Sequence, residues 1–154
     1  MTLIKSISGI RGTIGGKTSD NLTPLDTVLF AAAFASWLKK HIASNQIKVV
    51  VGRDARISGG MIQGLVNQTL IGYGIKVLDL GLSTTPTVGV AVTQYEAQGG
   101  IIITASHNPK HWNALKLMNH KGEFLNAKDG AAILEIAEKY DFNFSPVDKL
   151  GKLI

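Results

Sequence analysis

A hydroxyl, an imidazole and an amide stand side by side in Ser106, His107 and Asn108. They come just after residues 101–103, a run of three isoleucines that is typical of a buried parallel strand. Because ligands of open α/β sheets bind beyond the carboxyl ends of the strands, this segment is a candidate site. A serine there can carry a transferred group covalently. The alternative is a polar turn ended by Asn-Pro, and the residue types leave both interpretations open.

Two further polar segments follow predicted strands. Residues 52–56, Gly-Arg-Asp-Ala-Arg, come after an apolar run at 47–51, and residues 81–86 come after a run at 76–80. The side chains of Arg53 and Asp54 could form a salt bridge that fixes the loop, or Arg53 could contact an anionic substrate directly. Arg56 is open to the same two interpretations.

The elements that must position these loops alternate along the chain. Short apolar runs predict strands at 47–51, 76–80, 100–104 and 115–118. Longer periodic or apolar stretches predict helices at 24–41, 61–71, 85–95 and 127–140. The first helix is expected to be capped by Thr23 and largely buried. The alternation predicts an α/β fold, a three-layer α/β/α sandwich around a mixed, mostly parallel sheet of about four strands.

The composition of the chain excludes some kinds of chemistry and some classes of binding partner. The 154-residue chain has a net charge of +5 and no cysteine, which excludes disulfides and thiolate chemistry. Its lysines and arginines are scattered, with no run longer than Lys39-Lys40, so an anionic small molecule is favoured and no nucleic acid is expected. No apolar run reaches the roughly 18–20 residues of a membrane span, so no membrane partner is expected. No signal-peptide pattern opens the sequence, and we expect a cytoplasmic protein.

Four short sequence motifs occur in this chain in an order that is characteristic of one protein family. Residues 104–109 read Thr-Ala-Ser-His-Asn-Pro, residues 113–116 read Asn-Ala-Leu-Lys, and residues 8–12 read Ser-Gly-Ile-Arg-Gly. Together with residues 52–56, they resemble the phosphoserine loop and accompanying motifs of the α-D-phosphohexomutases, which comprise phosphoglucomutases, phosphomannomutases and phosphoglucosamine mutases. The resemblance covers nearly the whole chain. Trp112 and Ala114 depart from the family pattern, which usually has glycine at the second position of Asn-Gly-x-Lys, and we expect Ala114 to perturb the backbone of that loop.

The resemblance implies an isomerase that interconverts hexose 1-phosphates and 6-phosphates through a phosphoserine and a bisphosphate intermediate. It implies that Ser106 carries the phosphoryl group, that Arg11 neutralises its charge, and that Lys116 is the general acid/base. It also implies that Mg²⁺ binds Ser106 through its phosphate oxygen and that a hexose 1,6-bisphosphate acts as activator. The remaining residues that it assigns are His107 in the catalytic group, with Asn108, Arg53 and Asn113 as contacts of the phosphohexose substrate.

The role of Lys116 comes from the resemblance alone. Lys116 lies between Leu115 and Leu117 in a predicted strand. Because side chains alternate between the two faces of a strand, spacing by itself makes Lys116 an ordinary solvent-facing residue.

In this family the loops that hold Mg²⁺, select the sugar and bind the distal phosphate belong to further domains, and their motifs do not occur among these 154 residues. We therefore expect residues 1–140 to form domain I and residues 141–154 to connect toward a second domain. The partners would be the remaining domains of the same polypeptide, and this chain alone would not complete a catalytic cycle. The alternative is a stand-alone, non-catalytic α/β module that binds phosphosugars or a partner protein.

Overall fold

The computed structural model describes residues 1–154. Its six strands are β1 (Ile4–Ser6), β2 (Gly9–Thr13), β3 (Lys48–Arg53), β4 (Lys76–Leu82), β5 (Gly99–Ile103) and β6 (Trp112–Met118). Its helices are α1 (Pro24–His41), α2 (Gly59–Gly72), α3 (Thr85–Gln94) and α4 (Ala127–Lys139), with a single 3₁₀ turn at Val147–Lys149. None of the helices is long and apolar enough to cross a membrane.

The strands form one mixed sheet in the order β1-β2-β6-β5-β3-β4. β3 runs parallel to both β4 and β5, whereas the other three neighbouring pairs are antiparallel. The α/β prediction of a three-layer fold with a mixed sheet is confirmed, with six strands instead of about four. The sheet is not mostly parallel, because only two of its five strand pairs are parallel. The two additional strands, β1 and β2, contain charged and glycine residues and lack the continuous apolar run by which the buried strands are recognised.

Helices cover both faces of the sheet and create three layers. On one face, α1, α2 and α4 form one core cluster with strand residues that include Val49, Val51 and Ile101. On the other face α3 packs against Val50 and Ile102. This double coverage explains why β3 and β5 read as unbroken apolar runs. On the α3 face of β1, β2 and β6, only Met118 at the end of β6 belongs to the α3 cluster. The part of this face around Arg11 and Lys116 stays partly exposed, and we call it the open face.

Helix α1 begins as its sequence predicts. The Thr23 hydroxyl accepts a hydrogen bond from the Asp26 amide, and the Asp26 carboxylate accepts one from the Thr23 amide at 3.0 Å. This reciprocal capping box satisfies main-chain donors that the first turn would otherwise leave unpaired. The helix is largely buried along its length, as expected.

Residues 141–154 fold back on the domain. The Phe144 ring packs on the Tyr73 ring with centroids 4.7 Å apart, and the Gly151 amide donates to the carbonyl of Ile71 at 2.8 Å. The Val77 amide then donates to the Lys152 carbonyl at 2.9 Å, which fastens the tail along the edge strand β4. The connector role predicted for this segment stays a prediction.

Replacing Gly130 by alanine is expected to destabilise the fold. Gly130 is buried in α4, and a Cβ there would overlap the main chain of Ile7. Overpacking costs about 1–3 kcal/mol, and overlap with main-chain atoms, which cannot move aside as a side chain can, places Gly130 toward the upper end of that range. The cost therefore exceeds the ~1 kcal/mol that alanine gains over glycine in helix propensity. Urea unfolding should therefore show a lower free energy of unfolding. Gly64→Ala in α2 is the matched control, because its Cβ would enter open space, and it should be neutral or stabilising.

Candidate functional site

The hydroxyl of Ser106 is exposed at the tip of the loop that follows β5. Its backbone has φ +52°, in the left-handed region that residues with a Cβ rarely adopt. The Ser106 amide donates to the Thr104 hydroxyl at 3.2 Å, which closes a tight local turn. Strained backbone of this kind is found where the surrounding structure holds a residue for a function, and here it presents a nucleophilic hydroxyl to solvent.

Lys116 reaches this hydroxyl from the neighbouring strand. Its Nζ donates to Ser106 Oγ at 2.9 Å. β5 and β6 are antiparallel with Ile102 opposite Lys116, so Lys116 lies on the α3 face while its neighbours in β6 point into the core. The α3 cluster reaches β6 only at Met118, and the half-buried Lys116 is therefore free to turn toward the serine.

Arg11 lies on the same open face. β2 pairs with β6 so that Gly9 is opposite Lys116, and Arg11, two residues further along β2, shares the face of Lys116. The Arg11 guanidinium sits over the Trp112 ring, 5.9 Å from its centroid. This cation–π contact holds the charge in place without neutralising it. Trp112, which departs from the family pattern, thus has a structural role here.

Arg56 fastens the serine loop to the body of the domain. Its Nε donates to Asp54, and its two terminal nitrogens donate to four main-chain carbonyls, those of Ser106, Asn108, Pro109 and Trp112, at 2.7–3.1 Å. A guanidinium has five N–H groups, and every one of them is used. The loop that carries Ser106 is therefore clamped by a single side chain across most of its length.

Asp54 completes the clamp. Its carboxylate forms the salt bridge with Arg56 at 3.3 Å and accepts a hydrogen bond from the Thr104 hydroxyl at 2.6 Å. Since the same hydroxyl accepts from the Ser106 amide, a continuous chain of polar contacts runs from Arg56 through Asp54 and Thr104 to the serine. Such networks hold a geometry more firmly than isolated hydrogen bonds do.

The other residues assigned from the sequence lie in three different settings. His107 is exposed and Asn108 is half-buried, both in the Ser106 loop. Arg53 turns away toward α2, where its Nε donates to Gln63 at 2.9 Å. Asn113 is fully buried, and its amide nitrogen donates to the Ser58 hydroxyl at 2.8 Å. The structure thus brings Ser106, His107, Asn108, Lys116 and Arg11 to one end and face of the sheet, and it does not bring Arg53 or Asn113 there.

The structure differs from two expectations drawn from the sequence. The salt bridge considered between Arg53 and Asp54 is not formed, because Asp54 pairs with Arg56 instead. The backbone around Ala114 is also regular, since β2 and β6 keep a continuous register from Gly9–Lys116 to Thr13–Trp112. The methyl group of Ala114 is accommodated in this strand, where it is buried.

The clamp of Arg56, Asp54 and Thr104 is the part of the site that the sequence left undefined. The sequence indicates a loop after a strand at residues 52–56. It does not show that a guanidinium of this loop binds main-chain carbonyls, because such contacts have no characteristic residue spacing. The one signal in the sequence is that Asp54 and Arg56 directly follow the apolar run 47–51, at the carboxyl end of a predicted strand.

The described residues do not by themselves form a site for Mg²⁺. No group of three or more histidine, aspartate or glutamate side chains is placed to hold a metal ion. The one carboxylate tied to the Ser106 loop, that of Asp54, is already engaged by Arg56 and Thr104. A lone hydroxyl beside a lysine does not fit a divalent cation, which prefers several oxygen ligands.

The fold and the site define a class of protein: an α/β/α domain that presents a strained serine hydroxyl to a lysine beyond the carboxyl end of a central strand. Residues 3–144 match the family model described as phosphoglucomutase/phosphomannomutase, alpha/beta/alpha domain I. The chain belongs to the phosphoglucomutase/phosphomannomutase family, as its domain I.

Individual relatives agree with this assignment. The chain is 38% identical over 151 residues to a protein of Methanosphaera stadtmanae named "Probable phosphoglucosamine mutase", covering 97% of this chain and 32% of the relative. It is 34% identical to a phosphoglucomutase/phosphomannomutase of Thermococcus kodakarensis, covering 92% of this chain and 31% of the relative. The chain thus spans about a third of the length of these curated relatives.

Solved structures confirm the fold. A phosphoglucomutase/phosphomannomutase family protein from Burkholderia thailandensis superposes with a TM-score of 0.79 at 21% identity. The superposition covers 100% of this chain and 33% of that one. The three-layer arrangement inferred from the alternating strands and helices is therefore the arrangement of the family's first domain.

Proposed function

We propose that this chain is the phosphoserine-bearing domain of a phosphohexomutase, an isomerase that moves a phosphoryl group between the 1- and 6-positions of a hexose. The observation that carries the proposal is the 2.9 Å hydrogen bond from Lys116 Nζ to the exposed Oγ of Ser106. A serine becomes a useful phosphoryl carrier when a neighbouring group manages its proton and a cation offsets the charge of the phosphate. On the open face of the sheet, Lys116 is the group that manages the proton of Ser106, and Arg11 is the cation that offsets the charge of the phosphate.

The chemistry follows from this arrangement. When phosphoserine is the donor, a sugar hydroxyl attacks the phosphorus, a new P–O bond forms to the sugar, and the bond to Ser106 Oγ breaks. Lys116 gives a proton to the departing Oγ and takes up the proton released by the sugar hydroxyl. In the reverse step Ser106 Oγ attacks, and the two protons move in the opposite direction. The charge on the transferring group is offset by Lys116 and Arg11.

Two further parts of the proposal involve groups outside this chain. The phosphoserine would carry about −1.5 to −2 charge, and it would bind Mg²⁺ only together with other oxygen ligands. Since the described residues provide none, those ligands would come from other domains of the same polypeptide. A hexose 1,6-bisphosphate would load Ser106, and His107 and Asn108, which flank the loop tip, would contact the phosphohexose.

The test is phosphoryl uptake by Ser106. The protein, together with the other domains of its polypeptide, is incubated with glucose 1,6-bisphosphate and Mg²⁺ and examined by intact mass and peptide mapping. We expect the mass of one phosphoryl group to be gained at Ser106 and none to be gained by Ser106→Ala. Thr93→Ala, which removes an exposed hydroxyl near the end of α3, is the matched control and should be labelled like the wild type.

Two results would contradict the proposal. Equal labelling of Ser106→Ala would show that another residue accepts the group. Binding of glucose 1-phosphate without any phosphoryl uptake would favour the non-catalytic, phosphosugar-binding module.

A further inference from the structure

A polar groove of about 700 Å³ lies at the end of the sheet opposite Ser106. It is bounded by residues 42–46 after α1, by the start of β4, and by residues 145–152 of the tail. Ser106 lies beyond the carboxyl end of β5, whereas this groove lies at the amino end of the parallel strand β4. The groove is therefore separate from the site proposed to transfer the phosphoryl group.

The groove concentrates positive charge. Four lysines and no aspartate or glutamate line it: Lys39, Lys76, Lys149 and Lys152. None of them forms a salt bridge, since the two salt bridges of the protein are Arg56–Asp54 and Lys139–Glu135. Lys39 lies in the last turn of α1, where it complements the helix dipole. Of the other three lysines, Lys76 donates to the neutral side-chain oxygen of Gln46 at 3.0 Å, and none is paired with a charged group.

The tail holds two of these lysines in place. The amide of Gly151 donates to Ile71, and the carbonyl of Lys152 accepts from Val77, so the backbone on both sides of the groove is fixed to α2 and β4. Lys149 closes the 3₁₀ turn, with its amide donating to the Pro146 carbonyl at 2.9 Å. Charges of one sign repel each other, and a fold that fixes several around a concave surface raises the local concentration of anions there.

We propose that this groove binds a small anion that carries two or more phosphate groups. Its volume falls within the ~300–1,000 Å³ of small-molecule sites. Lysine ammonium groups are point charges suited to phosphate oxygens. Neutral donors complete the lining, among them the side chains of Ser44, Asn45 and Ser145. No aromatic ring lines the groove, so it lacks the stacking platform with which proteins hold nucleic-acid bases.

Calorimetric titration with inorganic tripolyphosphate tests the proposal. We expect the triple variant Lys76→Gln, Lys149→Gln, Lys152→Gln to bind at least about tenfold more weakly than the wild type, as the loss of several surface charge contacts implies. The control is Lys17→Gln, Lys121→Gln, Lys128→Gln, which has the same net charge and should lose less than about threefold. Thermal unfolding of each variant verifies that it is folded, and the single variant Lys149→Gln serves if the triple variant is not.

A third variant separates the two ends of the molecule. Arg11→Gln, Lys116→Gln removes the charges around Ser106 and should leave binding in the groove intact, with the amide NMR signals of residues 148–152 still shifting on titration. Absence of binding by the wild type, equal losses in the two triple variants, or loss confined to the Arg11 and Lys116 variant would each overturn the proposal. None of these results bears on phosphoryl uptake by Ser106.

Discussion

Replacing Arg56 by lysine is expected to slow phosphoryl uptake by Ser106 about 100-fold, because displacement of a reacting group by as little as ~1 Å can have that effect. Arg56 uses all five of its N–H groups on Asp54 and four loop carbonyls. Lysine keeps the charge but offers three donors and no planar fork, so most of these contacts are lost. The strained φ of Ser106 would then relax, and its hydroxyl would move away from Lys116. The measurement is the rate at which phosphoserine appears from glucose 1,6-bisphosphate.

The same variant should lose stability, by about 2–3 kcal/mol, since several charge-assisted hydrogen bonds of the partly buried Arg56 are lost. Gly130→Ala therefore serves as the matched control, because it destabilises α4 by a comparable amount without touching the loop. At a temperature where both variants are fully folded, only Arg56→Lys should be slow. Similar rates in the two variants would mean that Arg56 acts on stability and does not position Ser106.

Replacing Lys116 by methionine is expected to reduce the rate of phosphoryl uptake by about 10²–10⁴, the usual contribution of a general acid/base. Methionine has a similar length and is compatible with the half-buried position, but it cannot donate to Ser106 Oγ. Because Lys116 forms no salt bridge, the free energy of unfolding should change little. Rapid mixing followed by intact-mass analysis gives the rate, and urea unfolding gives the stability.

Lys128→Met is the control for loss of one positive charge, since Lys128 is exposed on α4 and lies outside the site. Its rate should equal that of the wild type. An unchanged rate in Lys116→Met would remove Lys116 from the proposed chemistry. A slow rate together with a large loss of stability would assign it a structural role instead.

Much of the fold follows from the sequence alone because local patterns carry it. The strands β3, β4 and β5 are short apolar runs, α1 begins at a threonine followed by proline, and all four predicted helices are present within a few residues of their expected ends. The strands β1 and β2 escape this reasoning. Their pairing depends on β6, a hundred residues away along the chain, and only that pairing makes such short polar segments into strands.

The candidate site also has a part that follows from the sequence and a part that only the tertiary structure shows. Ser106, His107 and Asn108 lie in one segment, so their proximity is dictated by the chain. The resemblance of this segment to a known phosphoserine loop supplied its chemistry. By contrast, Lys116 joins Ser106 because β5 and β6 are antiparallel in one particular register. A shift of one residue in that register would place its side chain on the opposite face, in the core.

The sequence by itself therefore determined the class of fold, the family and the segment that carries the serine, because these depend on residues that are neighbours along the chain. The tertiary structure decided which cations reach that serine and which arginine holds its loop. Arg53 and Arg56 are three residues apart and have the same chemistry, yet one turns to Gln63 and the other binds four carbonyls of the loop. The physical reason is that hydrogen bonds between distant segments depend on how strands and loops meet in space, which residue spacing does not encode.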